Sequence, residues 1–233
     1  AGAAFPVTVG MIADRDNLFD CFRELRRGGG HAPGVDGVRL PDLSDSEAGG
    51  LVADLAERVR TFRYAPQPPR RVEIPKPGTT KTRTLSIPVV LDRVLAKALA
   101  RIEQDAPPVT GRAQVTRRDE KKKLLWLVDA VLRGDDPARP RGIPQGNNYS
   151  PCALNAVLHA WLDVPVTATL KHPLWHRYAD NLCRLCRGVA EGEQALAAIR
   201  QLLSPLGMSL KGEDGVSDLR TRTAQLLGFA LKY

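Results

Sequence analysis

The sequence predicts an α+β fold in which helices carry most of the core and short antiparallel hairpins project from them. Three observations lead there. Long segments repeat apolar residues every three to four positions, as helices with one buried face do. Two pairs of short runs rich in apolar and β-branched residues flank turn-forming residues, as local hairpins do. A hydrophobic content of 43% in 233 residues is enough to bury a real core, in one large domain or two close subdomains.

From Asp14 to Arg27, residues Leu18, Phe19, Phe22 and Leu25 recur at helical spacing until Gly28-Gly29-Gly30 stops the pattern. Ser44 and Glu47 form a capping-box pattern ahead of Leu51, Val52, Leu55, Val59 and Phe62, which predicts a helix over about 45–62. Runs Val72 to Ile74 and Thr82 to Ile87 read as strands around Lys76-Pro77-Gly78-Thr79-Thr80-Lys81, a hairpin with a basic tip. Behind Pro88, Leu91, Val94, Leu95, Ala98, Leu99 and Ile102 stripe a helix that ends before Pro107-Pro108.

Residues 105–123 are polar and without period and read as mostly loop, whereas Leu124 to Arg133 reads as helix. A loop with Pro137, Pro140 and Pro144 leads to Gly146, and Pro151 opens a helix reaching Leu162. Strands His176 to Tyr178 and Leu182 to Cys186 are expected around a turn at Asp180-Asn181. A helix from Glu193 to Leu206 closes on Gly207, and a last strand covers Leu226 to Leu231.

The net charge of +8 and a pI near 9.6 point to a polyanionic partner, because a positive field concentrates phosphate-bearing ligands. The excess is local: Arg58 to Arg83 holds eight basic residues against Glu73 alone, in a stretch that prolines keep from being one helix. Arg58, Arg60, Arg63, Arg70 and Arg71 are the candidate nucleic-acid-binding residues, and Arg117 to Lys123 is a second basic run. Such residues contact phosphates without reading sequence; a solvated basic face is the plainer reading of either cluster.

Four cysteines make no disulfide framework in a chain of this length, and Cys183 and Cys186 lack a second ligand pair and read as packing residues. With no secretory segment and no run near the ~18 apolar residues that span a bilayer, a cytoplasmic protein without a membrane partner is expected.

The motifs say more. Gly34-Val35-Asp36-Gly37, Tyr64-Ala65-Pro66, Ile74-Pro75-Lys76-Pro77-Gly78, Lys81-Thr82-Arg83-Thr84-Leu85, and Ile87-Pro88 with Asp92-Arg93 follow one another. Then come Gly142-Ile143-Pro144-Gln145-Gly146, Ser150-Pro151 with Asn155 and Leu158-His159, Arg177-Tyr178-Ala179-Asp180, and Leu226-Leu227-Gly228-Phe229. In this order, from about Leu18 to Tyr233, they resemble the fingers and palm of group II intron-encoded reverse transcriptases and maturases.

The resemblance implies a right-hand polymerase fold with an antiparallel palm sheet packed on helices. Fingers would occupy 1–103, a basic linker and helix 104–141, and the palm 142–233. It implies an RNA-directed DNA polymerase that extends a DNA primer on an RNA template from deoxynucleoside triphosphates (dNTP) by two-metal nucleotidyl transfer, with Mg2+ or Mn2+ as cofactor and intron RNA as a further partner. Asp180 would be a metal ligand and, with Asn181, the catalytic turn. Lys76, Arg83, Gln145, Gly146 and Lys211 would bind the nucleotide, and Asp36 would form a turn.

Two departures stand out. The family pattern ends in two consecutive Asp residues where this chain has Asp180-Asn181, one charge fewer for a hard cation. The family also places a strand carrying its main metal-binding Asp between Arg93 and the Pro-Gln-Gly loop, and that stretch is several dozen residues short. Asp129, Asp135 and Asp136 lie nearby without a strand around them. Either the chain is a degenerate polymerase or an internal stretch is missing from it; the second is favoured because a palm without its central strand leaves a hairpin edge unpaired. The alternative function is a catalytically silent module that binds RNA as a scaffold or maturase-like splicing factor.

Overall fold

Thr8 and Asp14 start the first two helices by the same device, a side-chain oxygen that accepts orphan backbone N–H groups. Thr8 Oγ1 takes the Met11 N–H at 3.2 Å at the head of α1 (Val9–Ile12), a short helix absent from the sequence reading. Asp14 Oδ1 takes those of Asp16 and Asn17 at 3.0 and 3.1 Å at the head of α2 (Arg15–Arg27). These elements belong to a computed structural model that describes residues 7–76, 78, 80–105, 118–134, 142–170, 174–211 and 215–233, side chains 103–105, 118, 169 and 170 excepted. Pro77, Thr79, Pro107, Pro108, Arg117, Asp135, Asp136, Pro137, Pro140 and Gly212 lie outside the described residues.

The chain divides into two units, Ala1–Cys152 and Ala153–Tyr233. In the first, the capping box is complete at α3 (Asp45–Arg60): the Glu47 N–H donates to Ser44 Oγ at 3.3 Å and the Ser44 N–H donates to Glu47 Oε2 at 2.9 Å. The hairpin is β1 (Arg70–Pro75) with β2 (Thr82–Ile87), antiparallel in the register Arg70 with Ile87 to Pro75 with Thr82. Helices α4 (Val90–Asp105) and α5 (Arg118–Arg133) follow. Leu18 and Phe22 of α2, Val52, Leu55 and Val59 of α3, and Leu95 and Leu99 of α4 form the buried centre, each contributing on the order of 1.5–3 kcal/mol by leaving water.

In the second unit, α6 (Ser150–Leu158), which runs in across the unit boundary, leads into one π-helical turn (His159–Asp163) and α7 (Val164–Leu170). The hairpin β3 (Trp175–Tyr178) with β4 (Asn181–Arg184), helix α8 (Val189–Leu203) and the hairpin β5 (Ala224–Leu226) with β6 (Phe229–Leu231) complete it. Leu158, Leu162, Val166, Ile199 and Leu203 are its core, with Trp175 and Leu182 of the first hairpin packed against them.

The α+β class is therefore observed, with the first hairpin separate as expected, but β3–β4 and β5–β6 are two separate two-stranded sheets among the described residues where one palm sheet was expected. Several boundaries also differ. Residues 118–123, read as loop, are the first turns of α5: Leu127 and Val131 are buried on it, Lys121 and Lys122 are exposed, and Lys123 is half-buried. The helix expected to stop at Leu162 continues to Leu170, because the wide turn bonds Val164 N–H to the His159 carbonyl just before Pro165, which has no N–H to donate. Leu226 to Leu231 is a hairpin, since Leu227 and Gly228 have φ of 51° and 85° and turn the chain back. Asn181 is the first residue of β4, opposite Tyr178, so the turn is Ala179-Asp180. Helix α8 begins at Val189, ahead of Glu193, and its last turn, Ser204–Leu206, is 3-10.

The Pro-Gln-Gly loop docks on β2. The Ser86 N–H donates to the Gln145 carbonyl at 2.8 Å. Gly146 has φ of 104°, and a Cβ there would stand 2.1 Å from the Ser86 carbonyl oxygen. Since backbone cannot give way as a side chain tip can, only glycine closes this contact. Replacing it with alanine (Gly146→Ala) is expected to cost roughly 2–4 kcal/mol, from strain at positive φ plus displacement of the loop. Urea denaturation checks this; an unchanged midpoint would mean the loop does not need the close approach.

Candidate functional site

Four of the five nucleotide candidates lie on one element pair of the first unit. The Lys76 N–H donates to the Lys81 carbonyl at 2.9 Å and closes the hairpin tip. Lys76, Lys81 and Arg83 are exposed, with Arg83 opposite Ile74. Gln145 and Gly146, about forty residues beyond the end of α4 in sequence, return to the same hairpin at Ser86 and remain exposed while Pro144, Tyr149 and Ser150 around them are buried. The Ser150 hydroxyl donates to the Pro144 carbonyl at 2.8 Å, Asn147 Nδ2 donates to the Val131 carbonyl at 2.8 Å, and Asn148 Nδ2 to that of Arg93 at 3.4 Å. The loop is thus tied to β2, α4 and α5 together. Lys211 lies in the second unit, exposed at the end of a segment whose Met208 and Leu210 pack on the core.

Beneath the hairpin, the motif residues act as fasteners. Asp92 on α4 accepts from Tyr64 Oη at 2.9 Å and from the Gln67 N–H at 2.9 Å, which binds the Tyr64-Ala65-Pro66 segment to the helix. Burial pushes the Asp92 carboxyl up to about 6, against the pull of the Gln67 and Tyr64 hydrogen bonds and the Arg58 charge. Arg93, 7% exposed, donates from Nη1 to the Gly30 carbonyl at 2.7 Å, and burial lowers its pKa. Gly34 lets its turn approach Val89, where a Cβ would be 2.8 Å from Val89 Cα. Asp36 Oδ1 accepts from the Val38 N–H at 3.1 Å and forms the expected turn.

The five arginines do not make one surface. Arg58 pairs with Asp54 at 2.9 Å, and Arg70 Nε donates to the Pro33 carbonyl at 2.9 Å, so both serve the fold. Arg60, Arg63 and Arg71 are exposed, Arg63 bonding Thr61 Oγ1 at 3.0 Å with Glu57 at 3.8 Å.

In the second unit, Asp180 sits exposed on the two-residue loop between β3 and β4. Ala179 has φ of 52°, a conformation that costs a residue with a Cβ on the order of 1–2 kcal/mol. Arg177 holds it there. Its Nη1 donates to the Ala179 carbonyl at 3.0 Å and to Asn155 Oδ1 at 2.7 Å, while Nε and Nη2 grip Asp163 at 2.9 and 2.6 Å. Trp175 Nε1 donates to the same carboxylate at 3.3 Å. Burial raises the Asp163 carboxyl, but these hydrogen bonds and the Arg177 charge outweigh it and hold it below the usual range. The π-helical turn carries Asp163, and the sequence pattern held no signal for it beyond Pro165.

No family model and no curated protein matches this chain. The resemblance rests on its motif residues alone. For the Mg2+ it implies, Asp180 supplies one carboxylate and Asn181 one amide oxygen, and no group of three His, Cys, Asp or Glu side chains able to hold a metal occurs among the described residues. That donor set fits one hard cation completed by water and phosphate oxygens, and does not fit two. Nor is any helix among the described residues long and apolar enough to cross a membrane.

The Asp92 carboxyl makes stability depend on pH. Its folded pKa lies above its ordinary value near 3.8, so the folded state holds the proton more tightly, and stability is highest below pH 4 and lost as pH rises to about 6. Relative to an Asp92→Asn variant, the wild-type protein should lose on the order of 1–3 kcal/mol between pH 4 and 6.5 and then run parallel. Urea midpoints across that range test it; parallel curves throughout would mean the carboxyl is not desolvated.

Proposed function

We propose that this chain is the fingers and palm of a group II intron-like reverse transcriptase, extending a DNA primer on an RNA template from dNTP. The observation that carries this reading is the docking of the Gln145-Gly146 loop at Ser86 of β2, on the same hairpin whose tip carries Lys76 and whose second strand carries Arg83. Lys76 offers a point charge and Arg83 a planar fork to triphosphate oxygens. Exposed Arg60, Arg63 and Arg71 attract template phosphates.

Mg2+, when bound, would supply charge neutralisation at phosphate oxygens, with Asp180 holding it. Arg177 keeps the Asp180 turn in place through the Ala179 carbonyl. A cytoplasmic location and intron RNA as a partner belong to the same proposal.

Asn181 favours a second reading, a silent module that binds RNA as a scaffold or maturase-like splicing factor, because it leaves Asp180 as the turn's single carboxylate. Primer extension on RNA with Mg2+ and with Mn2+ separates the two. Under the first reading the wild-type protein extends, and Asp180→Ala lowers extension by at least about 100-fold while RNA affinity stays within about twofold, because the lost group serves the cation and not the phosphate backbone. RNA binding without extension under either metal would establish the second.

A further inference from the structure

Phe62 follows α3 in a backbone conformation that large side chains avoid. Its φ is 58°. Around it the Arg63 N–H returns to the Arg58 carbonyl at 2.8 Å and the Phe62 N–H to the Val59 carbonyl at 3.3 Å, a helix-ending arrangement usually given to glycine. The ring gains no deep burial in exchange, since Phe62 stays 43% exposed.

The ring meets Trp126 of α5, with centroids 5.1 Å apart at 68°. Lys123 Nζ lies 5.6 Å from the Phe62 centroid, while also 2.9 Å from Glu120. Arg60, Arg63 and Lys122 are exposed on the same two segments, with Glu57 facing Arg63 at 3.8 Å. A ring held open at a strained position, backed by a tryptophan and accompanied by cations, is the combination that receives an unpaired base: the π-face takes the base and the cations take its phosphates. A base within a duplex is already stacked and cannot use it.

We infer that Phe62 and Trp126, with Lys123, Arg60, Arg63 and Lys122 beside them, form a stacking site for an unpaired base of single-stranded RNA. It rests on the reading that RNA is this chain's partner, and adds which face takes the unpaired part and by what chemistry. Four cations against Glu57 and Glu120 leave the face net positive, which favours this occupant over an apolar protein surface.

The test is binding of a labelled single-stranded oligouridylate of about 12 nucleotides, and of a blunt RNA duplex of the same length, to the wild-type chain and to Phe62→Gly and Phe62→Leu. Glycine suits the φ of 58° and leucine keeps an apolar side chain, so thermal melting should report folded proteins for at least one. The expected result is a loss of about tenfold in single-strand affinity with duplex affinity changed by less than about twofold. Unchanged single-strand affinity in a folded variant overturns the site, as does an equal loss for both RNAs. A wild-type chain that binds neither RNA overturns the RNA reading itself. Dimerisation in sedimentation that Phe62→Gly abolishes would assign the face to a second copy instead.

Discussion

The close approach of Gly146 to the Ser86 carbonyl is the contact around which the first unit is arranged. A sequence-distant loop reaches the hairpin only because no side chain stands between them. Once there, Asn147 and Asn148 secure it to two further backbone carbonyls, and Ser150 ties the loop to itself at Pro144. The hairpin is fastened from the other side too, since Arg70 reaches Pro33 and α4 carries Asp92 to Tyr64 and Arg93 to Gly30. Buried polar groups are costly without partners, so this network specifies one arrangement more sharply than apolar packing would. It leaves the side chains of Lys76, Arg83 and Gln145 exposed on that scaffold.

The second unit uses the same economy at smaller scale. One guanidinium spans Asp163, Asn155 and the Ala179 carbonyl, connecting a π-helical turn to a strained hairpin loop. Strain held by a well-partnered charge keeps a turn in a single conformation, which suits a carboxylate that must be presented rather than left to wander. The turn then offers Asp180 to solvent with the Asn181 amide beside it.

Much of the helical framework was legible in the sequence, because caps and apolar spacing are local signals. Asp14, Ser44 with Glu47, and the stripe from Leu91 to Ile102 each place an element within a residue or two. The basic run Lys121 to Lys123 misled, since a charged surface hides the apolar side of α5 that only Leu127 and Val131 reveal by burial. The helix through Pro165 was equally hidden, because a π-helical turn supplies what proline removes and leaves no composition signal. Leu227 turns the chain with a positive φ that leucine rarely adopts, so the final hairpin read as one strand. For the candidate site, the motif resemblance proposes Lys76, Arg83, Gln145 and Gly146, and the structure gives their positions. That Arg58 and Arg70 would be spent on Asp54 and Pro33 depended on tertiary contacts that no spacing encodes.

The claim on which the account turns is that hairpin 70–87 and loop 142–150 make one nucleotide-binding surface. Hydrogen exchange followed by mass spectrometry, with and without a primed RNA template, Mg2+ and the templated dNTP, tests it without requiring turnover. The account predicts that amides in both segments slow together when template and nucleotide are present. Slowing of only one segment, or protection confined to other parts of the chain, would contradict it.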